Sequence, residues 1–373
     1  MSSKANNSKA EILLESKEQK ISYFEKFTAS HPKLIQVMKK LKNEIYSQSN
    51  SDILMVVGPS GVGKSKLFER TLISILKDFS SEMEVDKGMI PIAGMELPNP
   101  DLGKFSWKDF YYRVLLQLTE PLIDDKIDIE AMLRNKQGSL DGKKAGTAPE
   151  LRRSVEKAFD NRKTKAFLID EAQHFFNIGS RSISTKQFNS IKSLANMANT
   201  KIVLFGTYQL NEVINLDGQL SRRVKELHFP KYDYSNPDEV KMFKSILFSF
   251  QRNLPVEEQP DLIQYHEYIY EHCVGCTGIL KRWLQRCLSD ALESGHKTIT
   301  FENLKRNALQ NKKLLTLAHE AINGEGEFLD NDNDIDELKR LLKTNKRQEK
   351  PSKASVNKTP GKRDPGRDKV GAS

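Results

Sequence analysis

Apolar residues along this chain follow two different rhythms. Up to residue 235, five short runs of consecutive apolar residues, rich in β-branched types, interrupt longer segments in which apolar positions recur every three or four residues. The runs lie at 53–57, 89–93, 166–169, 201–206 and 224–229. Unbroken apolar runs of this length predict strands buried on both faces, and strands that alternate with amphipathic helices predict a parallel sheet with helices on both sides. Pro91 cannot donate to a sheet ladder, which puts the 89–93 run at an edge or a strand end.

Helices are predicted at 10–27, after Pro32, after Ser106, after Thr147 and over 186–198. Ser106 to Asp109 and Thr147 to Glu150 fit N-terminal capping patterns. Beyond Pro237 the strand runs stop and only helical stripes remain. Val240, Phe243, Ile246 and Leu247 make the first, Leu262, Tyr265, Ile269 and Cys273 the second. Ile279, Leu280, Trp283, Leu284, Cys287 and Leu288 form a third, and Phe301, Leu304 and Ala308 a fourth. The expected organisation is an N-terminal helical extension (1–29), an α/β domain (30–235), a helical lid (236–322), and a linker with a disordered basic tail (323–373). The acidic Gly/Asp/Asn run 323–334 reads as linker, and residues 335–343 as a short amphipathic segment that could fold on a partner.

The chemistry sits at the ends of the apolar runs. After 53–57 comes Gly58-Pro59-Ser60-Gly61-Val62-Gly63-Lys64-Ser65, followed by a helical stripe. Strand, glycine loop and helix is the setting of a P-loop, whose backbone N–H groups turn onto phosphate oxygens at a helix N-terminus. Lys64 would offset the charge of the β- and γ-phosphates of ATP, and the Ser65 hydroxyl would ligate Mg²⁺. The run at 166–169 ends in Asp170-Glu171, a Walker B element: Asp170 for Mg²⁺, Glu171 as general base toward water. The run at 201–206 ends at Thr207, a polar residue placed to hold the attacking water.

Charge is informative once divided. Residues 339–373 carry twelve Lys or Arg against three acids, a net of +9 that equals that of the whole chain. The first 338 residues hold 47 of each sign, so the basic character belongs to the tail. A tail that polar cannot offset its ordering entropy; it is a solvated tail, an arm for nucleic acid, or a docking peptide. Three cysteines point to a reducing compartment, hence the cytoplasm, and the lone C-x-x-C of Cys273 and Cys276 reads as buried thiols. No apolar run is long enough to span a membrane.

The motifs GPSGVGKS, FLIDEAQHF, VLFGTYQL, QLSRRV and CTGILKRWLQR, within residues 30–315, resemble those of the TnsC/TniB family of AAA+ ATPases that regulate DNA transposition. The resemblance implies an AAA+ P-loop core with a parallel five-stranded sheet and a small all-helical lid. It implies ATP-dependent rings or helical filaments on duplex DNA that link a target-selection protein to the transposase, with hydrolysis driving disassembly. It also places Thr207 at sensor 1, Arg222 or Arg223 at the arginine finger acting on a neighbouring subunit, and Lys281 at sensor 2, where Arg is usual. Lys is a point charge and cannot fork onto phosphate as Arg does. DNA contact is expected from the glycine-rich loop 135–152, with Lys143, Lys144, Thr147 and Arg152, and secondarily from Lys104 beside Trp107 and Lys108. Two other functions compete. An initiator or helicase loader would carry a winged-helix domain, for which 325–373 is too short and polar; an adaptor in signalling or secretion would ignore DNA.

Overall fold

The computed structural model describes residues 11–47, 52–100, 105–125, 146–176, 181–214, 224–329 and 332–344. Five parallel strands form one sheet in the order β2-β3-β4-β1-β5. They are β1 (Ile53–Val57), β2 (Ile92–Glu96), β3 (Ala166–Asp170), β4 (Lys201–Gly206) and β5 (Val224–His228). The β2 strand starts just after Pro91, three residues later than the apolar run, and it is an edge strand as the proline requires. Val57 lies opposite Gly206 and His228, and Glu96 opposite Asp170, so the C-terminal ends of the strands are level.

Period-two alternation sorts the strands onto two cores. Met55, Phe167, Ile169 and Leu204 face a layer made by α5 (Trp107–Gln117), α6 (Ala148–Asn161) and α7 (Arg181–Ala198). Leu54, Val56, Leu168 and Phe205 face the opposite layer of α2 (Pro32–Tyr46) and α3 (Lys64–Asp78). Two short helices, α4 (Ser80–Val85) and α8 (Gln209–Ile214), complete this domain. The sheet is thus covered on both faces, which is why its strands read as unbroken apolar runs.

Helices α9 (Pro237–Asn253), α10 (His266–Cys273), α11 (Thr277–Glu293) and α12 (Phe301–Asn307) pack around Phe243, Leu247, Leu280, Trp283 and Leu284 as the expected lid. The N-terminal helix α1 (Lys17–Lys26) belongs to this lid core. Its Phe24 is fully buried there, against Phe250 at 6.1 Å. Ser16 and Gln19 form a capping box that starts this helix at Lys17, and a break at 14–16 separates it from the helical residues 11–13.

A further helix, α13 (Asn311–Phe328), runs on through Gly324 and Gly326, into the run expected as linker. Gly324 presses on the Tyr208 ring, where an added Cβ would lie 2.2 Å from a ring carbon. Packing against the body therefore outweighs the low helix propensity of glycine. Residues Met1–Phe328 form one unit and Leu329–Ser373 a second. In the second, α14 (Asp332–Thr344) is amphipathic, with Ile335, Leu338, Leu341 and Leu342 all exposed. No helix among the described residues is long and apolar enough to cross a membrane.

Candidate nucleotide site

The phosphate loop leaves β1 at Val57 and enters α3 at Lys64. Lys64 is buried, and its Nζ donates to the carbonyls of Gly58 (2.8 Å) and Pro59 (3.0 Å). Burial pushes the Lys64 ammonium down from the usual lysine range, while the negative charges of Glu171, Asp170 and Glu320 oppose that shift. Asp170, at the end of β3, is buried beside Ser65, whose hydroxyl donates to it, and the Glu171 N–H donates to its Oδ1 at 3.0 Å. Burial raises the Asp170 carboxyl above its ordinary range. One hydroxyl and one carboxylate side by side make a hard-oxygen donor pair, and Mg²⁺ characteristically adds waters and phosphate oxygens to such a pair. Ser65 and Asp170 therefore fit a magnesium ion. Cys273, Cys276 and Cys287 are buried free thiols.

Glu171 adopts a left-handed backbone conformation (φ 53°, ψ 36°), which is strained for a residue with a Cβ. The turn brings Gln173 back onto it, and Gln173 Nε2 donates to Glu171 Oε2. Gln173 Oε1 and Thr207 Oγ1 are buried with no hydrogen-bond partner in the protein. Both residues line the same cleft as Glu171 and Lys64. Unpaired buried polar atoms are costly, and here both belong to residues lining the cleft that holds Lys64 and Glu171.

That cleft has a volume of about 520 Å³, within the range of small-molecule sites. Its walls are the phosphate loop, the Phe27–His31 segment between α1 and α2, and the first turns of α11. The lid helix α11 sits directly on the loop. Gly278 N donates to Gly61 O at 2.8 Å, and Thr277 Oγ1 donates to Val62 O at 2.9 Å. The approach is close: a Cβ on Gly278 would stand 2.6 Å from Gly61 O. His31 ties the third wall in. Its Nδ1 accepts from Leu34 N–H (3.4 Å) and pairs with Tyr232 OH (2.9 Å), which leaves Nε2 facing Thr277 Oγ1 at 3.5 Å. Burial holds this imidazole neutral, with its pKa lowered to about 4.

Lys281 lines the cleft, and its Nζ is held by Phe27 O and by Glu25 O (3.2 Å), over the Phe24 and Phe27 rings. Burial lowers its pKa to about 8. Arg282 and Gln285, one and four positions on, line the cleft beside it and went unread in the sequence.

Thr147 caps α6 through the predicted box: Glu150 Oε2 accepts from the N–H groups of Thr147 and Gly146, both at 2.9 Å. Arg152 is engaged inside the protein, with Nε on Glu156 (2.9 Å) and Nη2 on Ser193 (2.7 Å). Lys104, Lys143, Lys144, Arg222 and Arg223 lie outside the described residues.

Residues 47–214 match the model of an AAA domain. The α/β part of the chain is an AAA+ domain, with its parallel five-stranded sheet and a helical region on its C-terminal side. Among curated proteins no relative matches. Similar solved structures include the ORC2 protein of Aeropyrum pernix, at 14% identity over 78% of this chain and 73% of that one, with a TM-score of 0.48. A Walker-type ATPase of Pyrococcus abyssi is 18% identical over 83% and 76%, TM-score 0.43. Domain III of the Thermotoga maritima replication initiation protein DnaA is 14% identical over 80% and 96%, TM-score 0.36.

Proposed function

We propose that this chain is a Mg²⁺-dependent ATPase whose nucleotide state controls its assembly on duplex DNA. On the TnsC/TniB resemblance, it regulates transposition by linking a target-selection protein to the transposase. One observation carries the enzymatic part. Lys64, Ser65, Glu171 and the unpartnered Thr207 hydroxyl converge on one cleft, with Asp170 hydrogen-bonded to Ser65, beneath a lid helix bonded to the phosphate loop.

The roles follow from position. Lys64 leaves the loop carbonyls for phosphate oxygens, and the loop N–H groups orient the chain of phosphates. Magnesium, held by Ser65 and Asp170, would supply charge neutralisation at the transferred phosphate. Gln173 fixes one oxygen of Glu171, so the other takes the proton of the attacking water. Thr207 Oγ1 and Gln173 Oε1 hold that water in line. The α11 turn excludes bulk solvent. Arg222 or Arg223 completes the site of a neighbouring subunit, so hydrolysis loosens the assembly. Lys143 and Lys144 contact DNA phosphates without reading sequence; Arg152 is committed to Glu156 and Ser193 and contributes less.

Electron microscopy of the full chain with ATP, with and without duplex DNA, tests this reading. Rings or filaments that need both ligands are expected, and Glu171→Gln should trap them. Particles indifferent to DNA would sink the DNA reading. DNA-dependent assembly that never captures a transposase would shift it to an initiator or helicase loader.

A further inference from the structure

We propose that the Glu320 carboxylate occupies the phosphate loop in place of a nucleotide phosphate, making α13 a clasp that ATP must open. The inference rests on the nucleotide reading of the cleft and concerns how that site is regulated.

Glu320 Oε1 accepts two hydrogen bonds from one residue of the loop, from Ser60 N at 3.1 Å and from Ser60 Oγ at 2.7 Å. A loop of inward-turned N–H groups at a helix N-terminus is an anion site. The anion in it here comes from the same chain, 260 residues further on. The rest of α13 holds the carboxylate in place. Glu325 pairs with Lys231 at 3.6 Å, and the Phe328 ring lies 4.7 Å from His228 and 6.2 Å from Tyr208. Gly324 allows the helix backbone to rest on Tyr208, next to the Thr207 of the reaction cleft.

The grip is light. Ala321 is the one buried side chain of α13, and Leu315 and Ile322 face solvent. Its polar contacts are made by its own carboxylates, Glu320 on Ser60 and Glu325 on Lys231, so a nearby change in charge can decide whether it stays. A polyphosphate in the loop places negative charge against the Glu320 carboxylate and competes for the Ser60 donors. ATP carries one more phosphate than ADP and so opposes the carboxylate more strongly. The clasp therefore reduces apparent ATP affinity by the fraction of molecules in which it is closed. It also converts nucleotide binding into release of α13 from Tyr208, His228 and Lys231.

Two variants separate the parts of this device. Glu320→Gln keeps the size and the hydrogen-bonding oxygen but removes the charge. Gly324→Ala leaves the carboxylate intact and forces the helix backbone away from Tyr208. Calorimetric titration of the full chain with Mg²⁺ and either ADP or a non-hydrolysable ATP analogue reads the affinities. Hydrogen exchange across residues 311–328 reads the clasp.

We expect each variant to bind the ATP analogue about tenfold more tightly than the parent, with a smaller gain for ADP. In the parent, exchange across α13 should accelerate when the ATP analogue is added. A parent that binds the analogue with α13 exchange unchanged, and variants of parental affinity, would overturn the clasp alone. A parent that binds neither nucleotide would overturn the nucleotide reading, and the clasp with it.

Discussion

Two helices reach the phosphate loop, and they hold it by opposite means. The lid helix α11 uses a backbone N–H and a hydroxyl on the carbonyls of Gly61 and Val62, with Leu280, Trp283, Leu284 and Leu288 buried behind it. Helix α13 uses one carboxylate on Ser60, with a single buried alanine of its own. A neutral, packed contact responds to shape and ignores ionic changes. A charged contact with little apolar burial behaves the other way round. The loop is thus clamped on one side by a fixed jaw and on the other by one sensitive to charge.

The largest effect expected is on the reference that both helices share. Lys64→Ala should abolish ATP binding, because the anchoring cation lies inside the loop; calorimetry checks it, and residual binding within tenfold of the parent would contradict the assignment. Acidification comes next, and it strains both jaws. His31 beside α11 and His228 beneath Phe328 of α13 are each held neutral by burial, with pKa values lowered to about 4. From the ordinary value near 6.5 down to 4, the unfolded chain takes up protons that the folded chain refuses, so stability falls as pH falls through this window. Melting curves between pH 7 and 4 should show that decline, and His31→Asn should make it shallower.

A shape change on α11 should have a smaller but opposite effect to one on α13. Gly278→Val drives a side chain into Gly61 O and should cost about 1–3 kcal/mol of stability, as overpacking does. It should weaken ATP binding, whereas Gly324→Ala strengthens it. Both variants changing affinity in the same direction would erase the distinction between the jaws. The smallest effect belongs to Thr277→Val, which deletes the hydroxyl bonded to Val62 O and facing His31. About 1 kcal/mol of stability should be lost in denaturant titration.

The contrast also marks what could be read in advance. Gly58 to Ser65, Asp170-Glu171 and Thr207 were legible because strand, loop and helix signals surround each of them within a few residues. All five strands were visible, and Pro91 pointed to an edge or a strand end. The order of strands was not visible, since pairing joins residues such as Met55 and Leu204 that no local pattern connects. Glu320 was hidden for the same reason, and for another: the glycines after it argued for a linker. Gly324 is there for close packing on Tyr208, a demand set by a residue more than a hundred positions away. Lys281 was found by resemblance, but its hold on Phe27 and Glu25 depends on where α1 docks. Gln173 was read as a family mark, and the strained turn at Glu171 is what gives it a task.

The docking of α1 has a consequence for how the protein is made. Phe24 leaves the ribosome early, yet the core it joins includes Phe250, Trp283 and Leu284, near the other end of the chain. At roughly 5–20 residues per second, tens of seconds separate the synthesis of these partners. Until then α1 has nothing to pack on, and the Phe27–His31 wall of the cleft has no support. A nascent chain halted before Leu288 would carry the full phosphate-loop sequence but not the complete core on which α1 docks.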